Sequence, residues 1–236
     1  MVGEGRRKRN GLRITDRDLK IVEWVGRQRF ASAEQIRGRF GMDRSRAYRR
    51  LRATVAAGLV EHRQVFHGPG VYLATERGLG AVDLALPRAK VDVRTYHHDL
   101  ALAGLCAGYE LAGSDVVTER EIRAADAFAT EPRFAIQLGD RRLHLPDLIV
   151  SEDRGPVAIE LERTAKRAIR LDRILGAYLR ARHLAGVRYH AAGPRLESWL
   201  RQAVERTHAE DFIEVVGPDI QTQTTTPSPT AMGVTT

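Results

Sequence analysis

Cysteine is almost missing from this chain of 236 residues, where Cys106 stands alone. One thiol forms no intramolecular bridge, so a disulfide-framed secreted module is excluded and a reducing, cytoplasmic setting is expected. Long apolar runs are missing too. None approaches the roughly 18 residues that span a bilayer, and no signal-peptide core opens the chain, so no membrane partner is expected. Lysine is scarce, four against 34 arginines, a bias that inflates arginine everywhere. No internal repeat is found. The residues present are 43% hydrophobic and 29% charged, which suits a folded protein rather than a disordered one.

Charge is unevenly spread. The first 60 residues hold 16 Lys/Arg against six Asp/Glu, a balance of +10, and the remainder carries −2. Such asymmetry points to a polyanionic partner, nucleic acid before membrane. Residues 1–13, with Arg6, Arg7, Lys8 and Arg9, read as a basic arm, either solvated or touching DNA. Residues 218–236, rich in Thr, Ser and Pro and uncharged after Asp219, read as a disordered tail.

Residues 14–90 carry the signals of three helices and a hairpin. Thr15 is placed to cap a helix with Leu19, Ile21, Val22 and Val25 inside, and Asp16 and Asp18 suit its positive end. Ser32 and Gln35 have capping-box spacing, and Gly41 breaks the helix they open. Asp43 caps a third helix, Arg44 to about Ala57, with Ala47, Leu51 and Val55 recurring every four residues and Gly58 ending it. Strand-like Leu59–Phe66 and Val71–Ala74 flank the turn His67-Gly68-Pro69-Gly70, and Thr75 opens a short helix. This order is that of a winged helix-turn-helix. Arg44, Ser45, Arg46, Tyr48, Arg49, Arg50 and Arg52 surround the apolar stripe of the third helix, the chemistry of a groove reader for double-stranded DNA. Arg63 and His67 of the wing are further candidates for DNA contact.

A second unit, 95–217, follows a linker containing Pro87. Its expected elements are a helix from His98 to about Leu111, strands at Asp115–Arg123, Arg133–Leu138, Arg142–Val150 and Pro156–Glu162, and a helix from about Thr164 to His183. A strand at Val187–Ala191, a helix at Pro194–Arg206 and a strand at Phe212–Val216 complete it. The fold class is therefore α+β or α/β, with a mixed sheet in the second unit. Gly68-Pro69-Gly70 and Gly78-Leu79-Gly80 lack the strand–loop–helix context of a phosphate loop. His97 and His98 lack partners at zinc spacing, so one is expected to cap the helix and the other to be exposed. Cys106, Trp24 and Trp199 read as packing residues.

The sharpest chemical signal is Pro146-Asp147 followed by Ile159-Glu160-Leu161-Glu162. Strand alternation puts Glu160 and Glu162 on one face and Ile159 and Leu161 on the other. A hairpin through Ser151–Gly155 would bring Asp147 beside Glu160. Three neighbouring carboxylates repel unless neutralised, and Mg²⁺ or Mn²⁺ with oxygen ligands would do so and activate a water. Arg163 and Lys166 would then offset charge on a phosphate. The alternative is a solvent-facing edge strand with Asp147 in a turn.

The Pro-Asp … Glu-x-Glu order on a hairpin before a long helix resembles the PD-(D/E)xK nuclease fold. The resemblance implies a metal site at Asp147, Glu160 and Glu162, with Lys166 in place of the usual lysine where Glu162 stands, and Glu110 or Glu119 as a further acid. The arrangement from Leu12 to Val216 is similar to the replication-relaxation family of plasmids and other mobile elements. The matching features are Thr15-Asp16-Arg17-Asp18-Leu19, Gly58-Leu59-Val60, Val71-Tyr72-Leu73-Ala74-Thr75 with Gly78, His97/His98, Pro146-Asp147 and Ile159-Glu160-Leu161-Glu162 with Lys166 and Tyr178. It implies DNA binding in replication, mobilisation or transfer. Three readings stand at this point: a mobile-element DNA-binding protein with a nuclease-like second unit, an Mg²⁺-dependent DNA endonuclease, and a transcriptional regulator whose second unit senses a ligand or forms a homodimer.

Overall fold

Capping chemistry sets the first helices. In the computed structural model, which describes residues 13–126, 129, 132–139 and 142–218, the Thr15 N–H and hydroxyl both donate to the Asp18 carboxylate at 2.7 Å and open α1 (Asp16–Arg27). Ser32 and Gln35 exchange the reciprocal bonds of a capping box and open α2 (Ala33–Arg39). Asp43 accepts the Arg46 N–H at 2.8 Å and opens α3 (Arg44–Ala56). Gly58, at φ +70°, turns the chain out of α3. The spacing of four misplaces Val55: each such step drifts about 40° around the helix, so Ala53 and Thr54 are buried and Val55 is exposed. A two-residue strand, β1 (Ala31–Ser32), joins the hairpin of β2 (Val60–Arg63) and β3 (Val71–Ala74) in an antiparallel sheet with β3 central. Thr75 Oγ1 accepts the Gly78 N–H and opens α4 (Glu76–Ala81). Gly78 is pressed so closely on Leu59 that a Cβ there would lie 1.9 Å from the Leu59 carbonyl oxygen.

The second half comprises α5 (Tyr96–Leu111), β4 (Val116–Thr118), α6 (Glu119–Asp126), β5 (Ile136–Gln137), β6 (Leu143–His144), β7 (Leu148–Glu152), β8 (Gly155–Glu162), α7 (Ala168–Tyr178), β9 (Gly186–Ala191), α8 (Pro194–Arg206) and β10 (Ile213–Val216). Five strands form one mixed sheet in the order β10-β9-β8-β7-β4. β4, β7 and β8 are antiparallel neighbours, whereas β8, β9 and β10 run parallel. β8 is central, and both its faces are covered. Ile159 packs with Leu102 and Cys106 of α5, while Ala158 packs with Leu171, Leu175 and Tyr178 of α7 and Leu200 of α8.

Several boundaries differ from the sequence expectation. The strand expected over Asp115–Arg123 stops at Thr118, because the Thr118 N–H donates to Glu121 and the two residues form a helix-opening pair. Arg142–Val150 is two strands, broken at Leu145–Pro146; β6 pairs with β5 in a separate two-stranded sheet. Proline has no N–H for a ladder. The helix expected from Thr164 to His183 spans only Ala168–Tyr178, leaving 163–167 as a connection. No helix among the described residues is long and apolar enough to cross a membrane. The expected arm, Arg13 apart, and the tail beyond Pro218 lie outside the described residues.

The two halves share their packing. Ala103 and Ala107 of α5 belong to the same buried cluster as Ile21, Val22, Ile36 and Leu51. Tyr96 stacks on Phe30 with centroids 5.1 Å apart. A polar seam runs beside them: the Trp24 indole N–H donates to Glu110 at 2.7 Å, Arg27 pairs with Glu110 and Glu121, and Arg29 with Glu119.

Candidate nucleic-acid face and acid cluster

On α3, the residues expected to read DNA divide into two groups. Ser45, Arg46, Arg49 and Arg52 are exposed on the arc opposite Ala47 and Leu51, Arg44 is exposed at the start of the helix, and Tyr48 is half-buried among them. Arg44 lies 5.8 Å from the Tyr48 ring centroid. Among the described residues no carboxylate forms an ion pair with Arg44, Arg46, Arg49 or Arg52. Arg50 differs. Its guanidinium grips the buried Asp18 with two nitrogens, one at 2.7 Å, and also donates to the Arg13 carbonyl. Burial alone would raise the Asp18 carboxyl; the bonds from Arg50 and Thr15 outweigh it and hold the group below its usual range. Arg50 thus fastens α3 to α1. Arg63, exposed in β2, pairs with Glu61 at 3.0 Å, so its charge is partly matched within the wing.

The carboxylates lie at the end of β8. Leu148 pairs with Ile159 across the β7–β8 ladder, which puts Asp147 at the level of Glu160, as hairpin reasoning requires. Glu160 and Glu162 are buried at 4% exposure, so the edge-strand alternative does not hold. Each acid has its own basic partner. Asp147 Oδ1 meets His98 Nε2 at 3.2 Å, and Oδ2 accepts the Leu161 N–H at 2.7 Å. Glu160 Oε1 meets His144 Nε2 at 2.6 Å and accepts the Tyr178 hydroxyl. Glu162 accepts from Lys166.

These surroundings push the groups apart electrostatically. Burial raises the Asp147 carboxyl, and the neighbouring Glu160 charge adds to it against the pull of His98. Burial opposes ionisation of Glu160 as well, but His144, Tyr178 and Lys166 hold it low. Glu162 is raised by burial over the pull of Lys166. The bond to Asp147 raises the His98 imidazole. Burial would lower His144, yet the Glu160 charge outweighs it and raises the group. Burial, with the Glu160 charge beside them, lifts Tyr178 and Tyr189 well above the usual phenol value.

Three acids are therefore matched by two imidazoles and an ammonium. Among the described residues no group of three or more His, Cys, Asp or Glu side chains is arranged to hold a metal ion. As folded, the acids form a charge-paired cluster. A scan against protein-family models finds no match, and neither does a search of curated proteins.

Other expectations change. His97 is exposed, as expected of one of the pair, and stacks on Phe66 with ring centroids 5.8 Å apart, whereas His98 does not cap the helix but reaches Asp147. Glu110 and Glu119 direct their carboxylates into the polar seam, to Arg27, Arg39, Arg29 and Arg123, although the Glu119 N–H donates to the Asp147 carbonyl at 3.0 Å. Sequence reasoning misses His144 altogether. Its only signal is position, two residues before Pro146-Asp147. Cys106 is buried, with its thiol pushed up to about 12 by burial, which leaves it without thiolate chemistry.

Proposed function

We propose that this chain is a double-stranded-DNA-binding protein, with 14–90 acting as a winged helix and α3 as its groove reader. The observation that carries the reading is the exposed set of Arg44, Arg46, Arg49 and Arg52 with no carboxylate partner among the described residues. Arg46, Arg49 and Arg52 share one exposed face with Arg44 at the start of the helix, and guanidinium groups free of carboxylates suit phosphate oxygens and guanine edges. The three helices followed by a hairpin support the winged-helix assignment. The order β4-β7-β8 followed by α7 and β9, with Asp147 beside Glu160, supports a PD-(D/E)xK-like second unit. The motif order similar to the replication-relaxation family supports a role in plasmid replication, mobilisation or transfer. Because His98, His144 and Lys166 already match the three acids, the reading favours a nuclease-like unit kept for architecture or binding over an active endonuclease.

The test is binding of the full chain to duplex DNA across a salt series. Log affinity should fall linearly with log salt, and Arg46→Ala with Arg49→Ala should flatten the slope by about two, roughly one for each phosphate no longer neutralised. An unchanged slope would sink the α3 assignment. Incubation with supercoiled and linear DNA in Mg²⁺ or Mn²⁺ should leave both intact. Cleavage abolished by Glu160→Gln would establish the endonuclease instead.

A further inference from the structure

A second basic surface lies beside the acid cluster, and it rests on the DNA-binding reading. The β8–α7 connection and the first turn of α7 expose Arg163, Arg167 and Arg170. Lys166, in the same stretch, turns inward to Glu162. The first turn of α7 holds no acid, and among the described residues none of the three arginines has a carboxylate in ion-pair contact. Between them stands Ile169, 85% exposed, the most exposed of the large hydrophobic side chains among the described residues. The base beneath it is firm, because Leu171, Ile174, Leu175 and Tyr178 anchor α7 in the core.

Charge and apolarity together narrow the partner. Three unmatched guanidinium groups call for an anion, and a projecting isoleucine calls for an apolar face at the same spot. DNA offers both where its bases are unstacked: phosphates for the arginines and an open base face for a wedge. We propose that the segment 163–170 is a second DNA contact, selective for an unpaired or unstacked step, in which Arg163, Arg167 and Arg170 hold phosphates and Ile169 packs against the exposed base.

The full chain is tested on three DNAs: an intact duplex, the same duplex with a two-nucleotide gap, and the single strand. The wild type should favour the gapped duplex. Arg163→Ala, Arg167→Ala and Arg170→Ala together should lower its affinity at least about tenfold and reduce the salt slope by about three. Ile169→Ser should abolish the preference for the gap while leaving intact-duplex binding unchanged, and it should remove the rise in 2-aminopurine fluorescence that the wild type produces beside the gap. All four positions are exposed, so an unchanged melting temperature certifies the variants as folded. A triple variant with wild-type affinity and slope overturns the proposal, as does Ile169→Ser with the preference intact; the patch would then suit an acidic protein surface. Binding that is lost in the Arg46→Ala, Arg49→Ala variant but retained in the triple variant rejects this surface alone. A wild type that binds none of the three DNAs rejects the reading on which it rests.

Discussion

Single arginines in this chain do different work, and neighbouring positions separate them. Arg50 clamps the buried Asp18, so Arg50→Ala strands a buried carboxylate and should destabilise the fold by about 3 kcal/mol. Arg46→Ala should leave the melting temperature unchanged and act only on DNA affinity. Thermal melts of the two variants check this, and equal losses would refute the division. The histidines give a pH prediction. His98 and His144 are raised above the ordinary imidazole value by Asp147 and Glu160, so protonation favours the folded state. Their contribution is complete below about 6.5, the unfolded value, and is lost as pH rises through the folded values. Glu160, held low, acts only below the ordinary carboxylate range. The stability difference between wild type and the His98→Gln, His144→Gln double variant should therefore shrink as pH rises from about 6 to about 8.5. A difference that grows with pH would reverse the assignment.

At the scale of elements, local signals are most legible where side chain and backbone close on each other within four residues. Thr15–Asp18, Ser32–Gln35 and Asp43–Arg46 all form the caps that their spacing implies. Thr118–Glu121 has the same spacing, but the β-branched run Val116-Val117-Thr118 masks it, and a helix is read as strand. The Asp147–Glu160 level follows from hairpin geometry alone. The partners of these acids do not: His98 is 49 residues from Asp147, and His144 is 16 from Glu160. Neither lies at a spacing that a helix or strand period marks. Gly78 is an element-scale feature that sequence quotes without explaining. It lets α4 rest on the Leu59 carbonyl, so Gly78→Ala must shift backbone, and a loss of about 2 kcal/mol in denaturant melts is expected.

For the molecule as a whole, the sequence suggests two units divided near residue 90, whereas α5 is packed into both halves. Its Ala103 and Ala107 complete the core around Ile21, Val22 and Ile36, and its Glu110 binds Trp24 and Arg27. Unfolding should accordingly be one cooperative transition, seen alike by calorimetry and by tryptophan fluorescence at Trp24 and Trp199. Residues 13–90 expressed alone should expose the surface that α5 covers and bind a hydrophobic dye. Two separated transitions, or a monodisperse, dye-silent fragment, would restore the picture of independent units.

That shared helix also fixes a length. Proteins whose DNA-contacting parts hang on a slack tether accept spacers of any size between their half-sites. Here α5 is packed into both halves, so α3 and the β8–α7 segment are expected to keep one orientation. If α3 reads duplex DNA as proposed, moving a gap stepwise away from its sequence should give one affinity maximum. Affinity should be lost on either side, as the gap leaves reach and turns to the far side of the double helix within about half of its 10 to 10.5 base-pair turn. The protein would thus act as a ruler of one length, set by the packing of Ala103 and Ala107.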